Sequence, residues 1–260
     1  MRPSRPNRPG SEGDHGVRHE SIETNAGLLV ILTLVVIVIG GLVEIVPLFY
    51  IKGTVEAAQG VHPYTPLELR GRDIYQREGC FYCHSQMVRP FRDEALRYGH
   101  YSLAAESEYD HPFLWGSKRT GPDLARVGGK YSNAWLVQHM IDPRSVMPES
   151  IMPAYPWLMK NALGDAHIAE RMRALKEVGV PYSETRAEYE ANVKHFGPQM
   201  AQMLDIRHAR ASLLRQAVQG DYDGDPAHLT EMDALVAYLQ VLGNQVDFKK
   251  YGQGYFVRFR

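Results

Sequence analysis

Cys80, Phe81, Tyr82, Cys83 and His84 form a C-x-x-C-H motif that contains the only two cysteines in a sequence of 260 residues. Residues i, i+3 and i+4 lie on one face of a helical turn, so both thiols and the imidazole can reach one planar group. This spacing is typical of covalent attachment of a c-type haem, in which the histidine binds the iron. The motif therefore predicts one haem c, bound covalently by Cys80 and Cys83, with His84 as the proximal iron ligand.

Two other kinds of site use a C-x-x-C spacing. A structural zinc site needs a second pair of Cys or His ligands at similar spacing, and the sequence contains none that is obvious. A thioredoxin-like dithiol belongs in a βαβ context, and it leaves the adjacent His84 without a role. Haem attachment is therefore the preferred interpretation of the motif.

The overall composition limits the class of partner. The chain has 29 basic and 30 acidic side chains, and hydrophobic residues make up 44% of the sequence. A nearly neutral chain lacks the basic surface that nucleic-acid binding requires, so no nucleic-acid partner is predicted. The apolar content is sufficient for a real hydrophobic core.

A long apolar segment extends from Ala26 to Tyr50, and Glu44 is its only ionisable carboxylate. About 20 apolar residues in a helix cross a hydrocarbon layer of roughly 30 Å. The apolar run is longer than that of a signal peptide and has no small-residue cleavage site, so we expect an uncleaved transmembrane helix in the lipid bilayer. Glu44 lies either at the outer interface or at a contact with another subunit.

The charges flanking this segment predict its orientation. Four arginines precede it, and Lys52 is the only basic residue that closely follows it; the four are Arg2, Arg5, Arg8 and Arg18. Positive flanks stay in the cytoplasm, so residues 1–25 are predicted to be a disordered cytoplasmic tail and residues 26–50 the anchor. Residues 51–66 would then form a linker, and residues 67–260 a haem domain on the outer side of the membrane.

Helical patterns lie on both sides of the motif. A helix leads from Leu67 into Cys80, and Gly71 in its interior suggests a close helix crossing. Near the end of the chain, Thr230 and Asp233 predict a capping box before a helix with apolar residues at Leu235, Tyr238, Leu239 and Leu242. A terminal helix that crosses the first one resembles the class I cytochrome c fold. The predicted fold class is therefore mainly α, with one N-terminal transmembrane helix.

The sixth iron ligand is expected in a proline-rich loop after a short helix capped by Ser132. Met152 precedes Pro153, which limits the freedom of the loop, and Met/His ligation is usual in electron-transfer cytochromes. Met152 is the preferred ligand, with Met147 as the competing methionine and a histidine or an open position as the remaining alternatives. In class I cytochromes a proline carbonyl orients the proximal histidine, and the resemblance assigns this role to Pro122; the alternative is an ordinary Gly-Pro turn.

Three longer stretches resemble one particular family. They are G-C-F-Y-C-H-S-Q-M-V-R-P-F-R-D-E (79–94), W-G-S-K-R-T-G-P-D-L (115–124) and D-P-R-S-V-M-P-E-S-I-M-P-A-Y-P-W-L (142–158). Together with the anchor ending G-G-L-V-E-I-V-P-L-F, they resemble the mono-haem cytochrome c subunit (subunit II) of cbb3-type cytochrome c oxidases. Met147 stands where that family is expected to have valine.

The resemblance implies a function for the whole chain. It predicts an electron-transfer subunit without an oxygen-reducing site of its own, in the bacterial inner membrane with its haem domain in the periplasm. The chain would relay single electrons to the catalytic haem-copper subunit, where oxygen reduction is coupled to proton pumping. The expected donor is another cytochrome c subunit of the oxidase or a soluble cytochrome c.

Two insertions depart from a minimal haem domain. Residues 85–118 are rich in arginine and aromatic side chains, which protein interfaces favour, and the resemblance implies that they pack on the catalytic subunit. It also implies a calcium site at Ser117, shared with that subunit; the alternative for this insertion is a small aromatic core over the haem edge. Residues 181–227 are predicted to be helical, with one helix that starts at Thr185 and another over residues 200–218. Before them, Asp165 is expected to cap a helix with Ile168, Met172, Leu175 and Val178 on one face. The acidic residues at 221–225 form either a turn or an incomplete calcium loop.

Three alternative functions share the predicted anchor and haem. A stand-alone membrane-anchored electron carrier would not need the aromatic insertion. The cytochrome subunit of a nitric oxide reductase has a similar plan but is typically shorter and lacks the stretch at residues 115–124. A haem-based sensor would leave the sixth iron position open or weakly held, and carbon monoxide binding to the ferrous protein would reveal it.

Overall fold

The structure is a computed structural model that describes residues 19–48, 50, 55–56, 58–252 and 254–256. The chain divides into two compact units, residues 1–54 and residues 55–260. Helices account for most of the regular structure, and the described residues contain no named β-strand. The prediction of a mainly α protein with an N-terminal apolar helix is confirmed.

The first unit contains helices α1 (His19–Glu23) and α2 (Ala26–Leu48). Helix α2 has a mean hydropathy of 3.0, and at 23 residues it is long and apolar enough to cross a membrane. Residues 1–25 are predicted to be a disordered tail, but His19–Glu23 form the helix α1. Residues 1–18 lie outside the described part of the chain. Thr24 directly follows the last turn of α1, and its Oγ1 donates to the carbonyl of Glu20 over 2.5 Å.

The second unit contains nine further α-helices within the described residues. They are α3 (Pro66–Arg77), α4 (Arg92–Tyr98), α5 (Asn133–Ile141), α6 (Pro143–Val146), α7 (Ile168–Glu177), α8 (Arg186–Phe196), α9 (Pro198–Met203), α10 (Ala209–Gly220) and α11 (Glu231–Val241). Helices α3 and α11 pack against each other, and both contribute to the main hydrophobic core. The core residues Leu69, Ile74 and Leu235 are at most 1% exposed.

Gly71 is the point of closest approach between α3 and α11. A Cβ atom at this position would overlap the carbonyl oxygen of Ala234, and it would lie 2.7 Å from the Cβ of Tyr238. Only a glycine therefore lets the two backbones approach this closely. The close helix crossing predicted from Gly71 is confirmed.

The first turn of α11 is capped as the sequence predicts. The backbone N–H of Met232 donates to Oγ1 of Thr230 over 3.2 Å, and the N–H of Thr230 donates to the carboxylate of Asp233 over 3.0 Å. These bonds satisfy backbone donors that would otherwise lack a partner at the start of a buried helix. Because this helix is almost wholly buried, its cap fixes where the helix starts against α3.

Glu231, also in the first turn of α11, joins the two crossing helices through ion pairs. Its carboxylate accepts two hydrogen bonds of 2.6 Å from Arg77 and one of 2.9 Å from Arg70, both on α3. The side-chain amide of Asn161 donates a further bond over 2.9 Å. These donors, Arg77 first, outweigh the effect of burial and hold the pKa of Glu231 below its usual value.

The Glu231→Gln substitution is expected to lower the free energy of unfolding by about 2 kcal/mol at pH 7, since charge-assisted hydrogen bonds to buried groups contribute on that scale. A depressed folded-state pKa gives stability that is present above the usual pKa of a glutamate and is lost as the pH falls through the folded value. The difference between wild type and variant should therefore shrink in acid. Denaturant unfolding of the detergent-solubilised chain measures it, with the exposed Glu190→Gln as control; a pH-independent difference would contradict the role of the charge.

The predicted helix over residues 200–218 is divided into α9 and α10, and this part of the prediction is wrong. The interruption lies at Asp205, whose neighbours Leu204 and Ile206 exchange backbone hydrogen bonds with Ser183 over 3.1 and 2.9 Å. The carboxylate of Asp205 also accepts from the N–H of Arg207 over 3.0 Å. Hydrogen bonds to another segment have replaced those of a continuous helix here, and sequence periodicity does not reveal them.

The acidic residues after α10 form turns. The carboxylate of Asp223 accepts from the N–H of Asp225 over 2.9 Å and from the hydroxyl of Thr230 over 2.6 Å. The carboxylate of Asp225 in turn accepts from the N–H of Ala227 over 3.2 Å. Backbone N–H groups and the Thr230 hydroxyl thus bond to these carboxylates, and the described residues contain no group of three or more His, Cys, Asp or Glu arranged for a metal. The turn interpretation is the one that the contacts favour.

Candidate haem-binding site

The C-x-x-C-H motif directly follows α3. Gly79 has a positive φ of 73°, which ends the helix and starts a 3-10 turn at Cys80–Tyr82. The N–H of His84 donates to the carbonyl of Cys80 over 3.0 Å. One tight turn therefore carries both thiols and the imidazole, as their spacing predicts.

Both cysteines are unpaired, and their surroundings differ. Cys80 is partly buried and packs against the main core, whereas Cys83 is exposed. Burial, reinforced by the nearby carboxylate of Glu78, raises the pKa of Cys80 to about 12. The raised pKa favours the neutral thiol form of Cys80.

The imidazole of His84 is oriented by Pro122. Nδ1 of His84 lies 2.7 Å from the carbonyl oxygen of Pro122, so Nδ1 carries the proton and Nε2 remains free to bind iron. Burial lowers the pKa of His84, and the Pro122 carbonyl only partly opposes this effect. A neutral imidazole with a free Nε2 is the form that ligates iron, so this pair of residues fits a haem.

Gly121 provides the space that this orientation needs. A Cβ at Gly121 would overlap the His84 ring. The backbone N–H of Gly121 donates to the carbonyl of Cys83 over 2.9 Å. Sequence reasoning assigned a role to Pro122 and missed Gly121. The adjacent Gly-Pro pair was the available signal, but the sequence analysis assigned a role only to its proline.

Asp123 fixes the loop that carries Pro122. One carboxylate oxygen accepts from the hydroxyl of Ser85 over 2.6 Å and from the N–H of Met87 over 2.9 Å. Arg119 donates to Ser85 over 2.6 Å and also bonds the buried Glu94. The Arg119 guanidinium, as the largest effect, lowers the pKa of Glu94 to about 2. This network, also missed from the sequence, connects the loop that carries Pro122 to the insertion at residues 85–118.

The two candidate sulfur ligands occupy different environments. Met152 is partly buried against the main core, and its N–H donates to the hydroxyl of Ser150 over 3.2 Å. Met147 is 55% exposed. Three residues beyond Met152, the N–H of Tyr155 donates to the carbonyl of Met140 over 2.7 Å, which ties the loop to the end of α5.

The same loop lies near the cysteines. The pKa of Tyr155 is raised chiefly by burial and further by charge on Cys80 and Cys83, so its phenol lies within electrostatic range of both thiols. The indole N–H of Trp157 donates to the carboxylate of Glu78 over 3.3 Å. These contacts place the loop of Met152 beside the motif and favour Met152 over Met147, although ligation itself stays a prediction.

A buried arginine on α3 anchors the insertion at residues 85–118. Arg72 on α3 is 1% exposed, pairs with Asp110 over 3.4 Å and donates to the carbonyl of His111 over 3.2 Å. Beyond this anchor, Phe113 and Trp115 stack with ring centroids 4.4 Å apart, and both rings are exposed. The insertion is thus fixed at its base and displays aromatic surface.

Part of the insertion also contributes to a second hydrophobic cluster, where Leu103 and Ala105 pack with Val246 and Phe256. A small satellite core and an exposed aromatic surface therefore coexist in this segment. Ser117 is exposed beside the aromatic pair. The calcium site assigned to it stays a prediction, since the ligands would have to come partly from another subunit.

An α-helical domain that presents unpaired C-x-x-C-H residues, with the histidine bonded to a proline carbonyl, has the arrangement of a c-type cytochrome. No curated protein matches the sequence. A protein-family model described as cytochrome c oxidase, mono-heme subunit/FixO matches residues 19–246. The match covers most of the chain, so this protein belongs to the FixO family of mono-haem cytochrome c oxidase subunits.

Proposed function

We propose that this chain is the electron-relaying cytochrome subunit of a cbb3-type oxidase. The observation that carries the proposal is the orientation of His84 by Pro122 within a chain that matches the FixO family. In this role the chain passes single electrons to the catalytic haem-copper subunit, where oxygen reduction is coupled to proton pumping. The chain itself carries no oxygen-reducing site.

Different residues have different roles in holding the cofactor. A bound haem c supplies a reversible one-electron couple. Cys80 and Cys83 hold it covalently, His84 is the proximal ligand, and Met152 is the distal ligand. Pro122 fixes the His84 tautomer through its carbonyl, and Gly121 leaves room for the ring.

The anchor and its flanking charges support the placement of the chain in the cell. In this proposal α2 crosses the bacterial inner membrane once, with the arginine-rich tail in the cytoplasm. The haem domain then lies in the periplasm, where c-type haem is attached. The electron donor is another cytochrome c subunit of the complex or a soluble cytochrome c.

Exposed aromatic and apolar side chains support docking of the insertion on the catalytic subunit. Phe91, Leu96 and Phe113 are each more than half exposed, and exposed aromatic side chains are enriched at protein interfaces. A calcium ion at Ser117, shared with the catalytic subunit, belongs to the same interface. A stand-alone carrier would have no reason to retain this surface.

Tagging the chain and purifying it from membranes in mild detergent tests this function. Recovery of b-type haem, copper and cytochrome c oxidase activity with the tagged chain supports the proposal. A lone polypeptide with one c-type haem, obtained again under gentler extraction, would contradict it and identify an independent carrier. Recovery of nitric oxide reductase activity in place of oxidase activity would favour the second alternative.

The Met152→Ala substitution is expected to open the sixth iron position. The ferrous variant should bind carbon monoxide, lose the sulfur-to-iron charge-transfer band of the ferric form and have a lower reduction potential, because a thioether favours ferrous iron. Met147→Ala is the matched control in the same loop and should leave all three properties unchanged. If Met147→Ala instead opens the site, the ligand assignment is reversed.

A further inference from the structure

His139, in the last turn of α5, has a buried nitrogen without a partner. Its Nδ1 is inaccessible to solvent and forms no hydrogen bond among the described residues. Buried polar atoms of native proteins nearly always have a partner, so an unpaired one calls for an explanation. No role for this histidine has emerged from the motif or from the ligand loop.

The ring of His139 is held in place by its own helix. It stacks on Trp135 with centroids 4.7 Å apart and planes inclined by 12°, and Trp135 stacks in turn on Tyr131 at 4.0 Å. At the other end of this stack, the side-chain amide of Gln240 donates to the carbonyl of Tyr131 over 2.9 Å, which joins it to α11. The stack therefore restricts the plane of the imidazole.

The end of α5 packs on the 3-10 turn at Pro156–Met159, which follows the loop of Met152, and this brings the last turn of α5 with His139 beside that loop. The next residue, Met140, accepts the hydrogen bond from Tyr155 that ties the Met152 loop to α5. Burial lowers the pKa of His139, and charge on His84 lowers it further.

We propose that Nδ1–H of His139 is the hydrogen-bond donor to the thioether sulfur of Met152 in the haem-loaded protein. His139 is thus a positioning residue for the distal ligand, and the inference rests on the proposed ligation by Met152. A thioether is a weak acceptor, so a donor held rigidly by stacking suits it better than a mobile one. The bond withdraws electron density from the sulfur, which destabilises ferric iron and raises the reduction potential.

The His139→Phe variant of the full chain, purified with its haem, tests the proposal because it keeps a flat ring for the stack and removes the donor. We expect a lower midpoint potential together with a shift of the sulfur-to-iron charge-transfer band. His139→Gln, which retains an N–H donor, should recover part of both changes. The exposed His195→Phe in α8 controls for the loss of a histidine and should change neither.

Each outcome distinguishes this inference from the ligation on which it rests. If wild type has the charge-transfer band and His139→Phe alters neither the band nor the potential, the inference fails while Met152 ligation stands. A lower potential with an unshifted band would also overturn it, since the donor would then serve another acceptor, such as a haem propionate. If wild type lacks the band and the iron becomes high-spin only in His139→Phe, His139 is itself the ligand and both proposals fail.

Discussion

Replacing Gly71 with alanine is expected to prevent the haem domain from folding stably. The added methyl group would overlap the main-chain carbonyl of Ala234, and a backbone atom cannot move aside as the end of a flexible side chain can. Helices α3 and α11 would have to separate along the contact that forms the centre of the core. Overpacking of this kind costs about 3 kcal/mol or more, a large part of the total stability of a typical domain.

The effect of Gly71→Ala is measurable in two ways. Denaturant unfolding of the detergent-purified chain should show a large loss of stability, and the yield of haem-loaded protein in membranes should fall severely. Gly252→Ala is the matched control, because a Cβ there meets no atom within 4 Å and its backbone needs no positive φ. A variant that unfolds at the same denaturant concentration as wild type would refute the close crossing.

The Gly121→Ala substitution should have the largest effect on the cofactor site with little effect on the remainder of the fold. The new methyl group would overlap the imidazole of His84, so the ring must turn away from the position in which Pro122 holds it. We expect the haem to stay attached through Cys80 and Cys83 while the iron loses its proximal ligand for much of the time. The absorption spectrum should then change from low-spin to high-spin.

Spectroscopy and folding measurements separate this outcome from general misfolding. Far-ultraviolet circular dichroism of Gly121→Ala should resemble that of wild type, whereas the haem spectrum and the reduction potential change. The neighbouring Thr120→Ala, at an exposed position, should leave the spectrum unaltered. An unchanged low-spin spectrum in Gly121→Ala would show that His84 does not ligate the iron in the orientation described.

Local signals in the sequence predicted those parts of the fold that depend on a few neighbouring residues. The cap at Thr230, the cap at Ser132 and the start of α8 at Thr185 were each predicted from a side chain that can satisfy its own helix terminus. The apolar length of α2 was equally direct. A cap or an apolar run acts within one or two turns, so its effect can be recognised from sequence alone.

Helix boundaries that depend on distant segments were less predictable. Asp165 was expected to cap α7, but its carboxylate pairs with Arg210 over 2.6 Å and the helix begins at Ile168. Val178 was expected on the buried face of that helix and is 56% exposed. Asp165 thus pairs with a distant residue in place of a cap, and Val178 lies outside the buried contacts that its local pattern predicts.

The sequence by itself determined the motif at Cys80, Cys83 and His84, the apolar anchor and the mainly helical class, because each depends on spacing or length along the chain. Only the tertiary structure decided that Gly121 bounds the His84 ring, that Arg72 holds the insertion through Asp110, and that a buried nitrogen of His139 has no hydrogen-bond partner among the described residues. The first two of these features join residues that are 37 and 38 positions apart. Their energy comes from packing and from burial of polar groups, which exist only after the chain has folded.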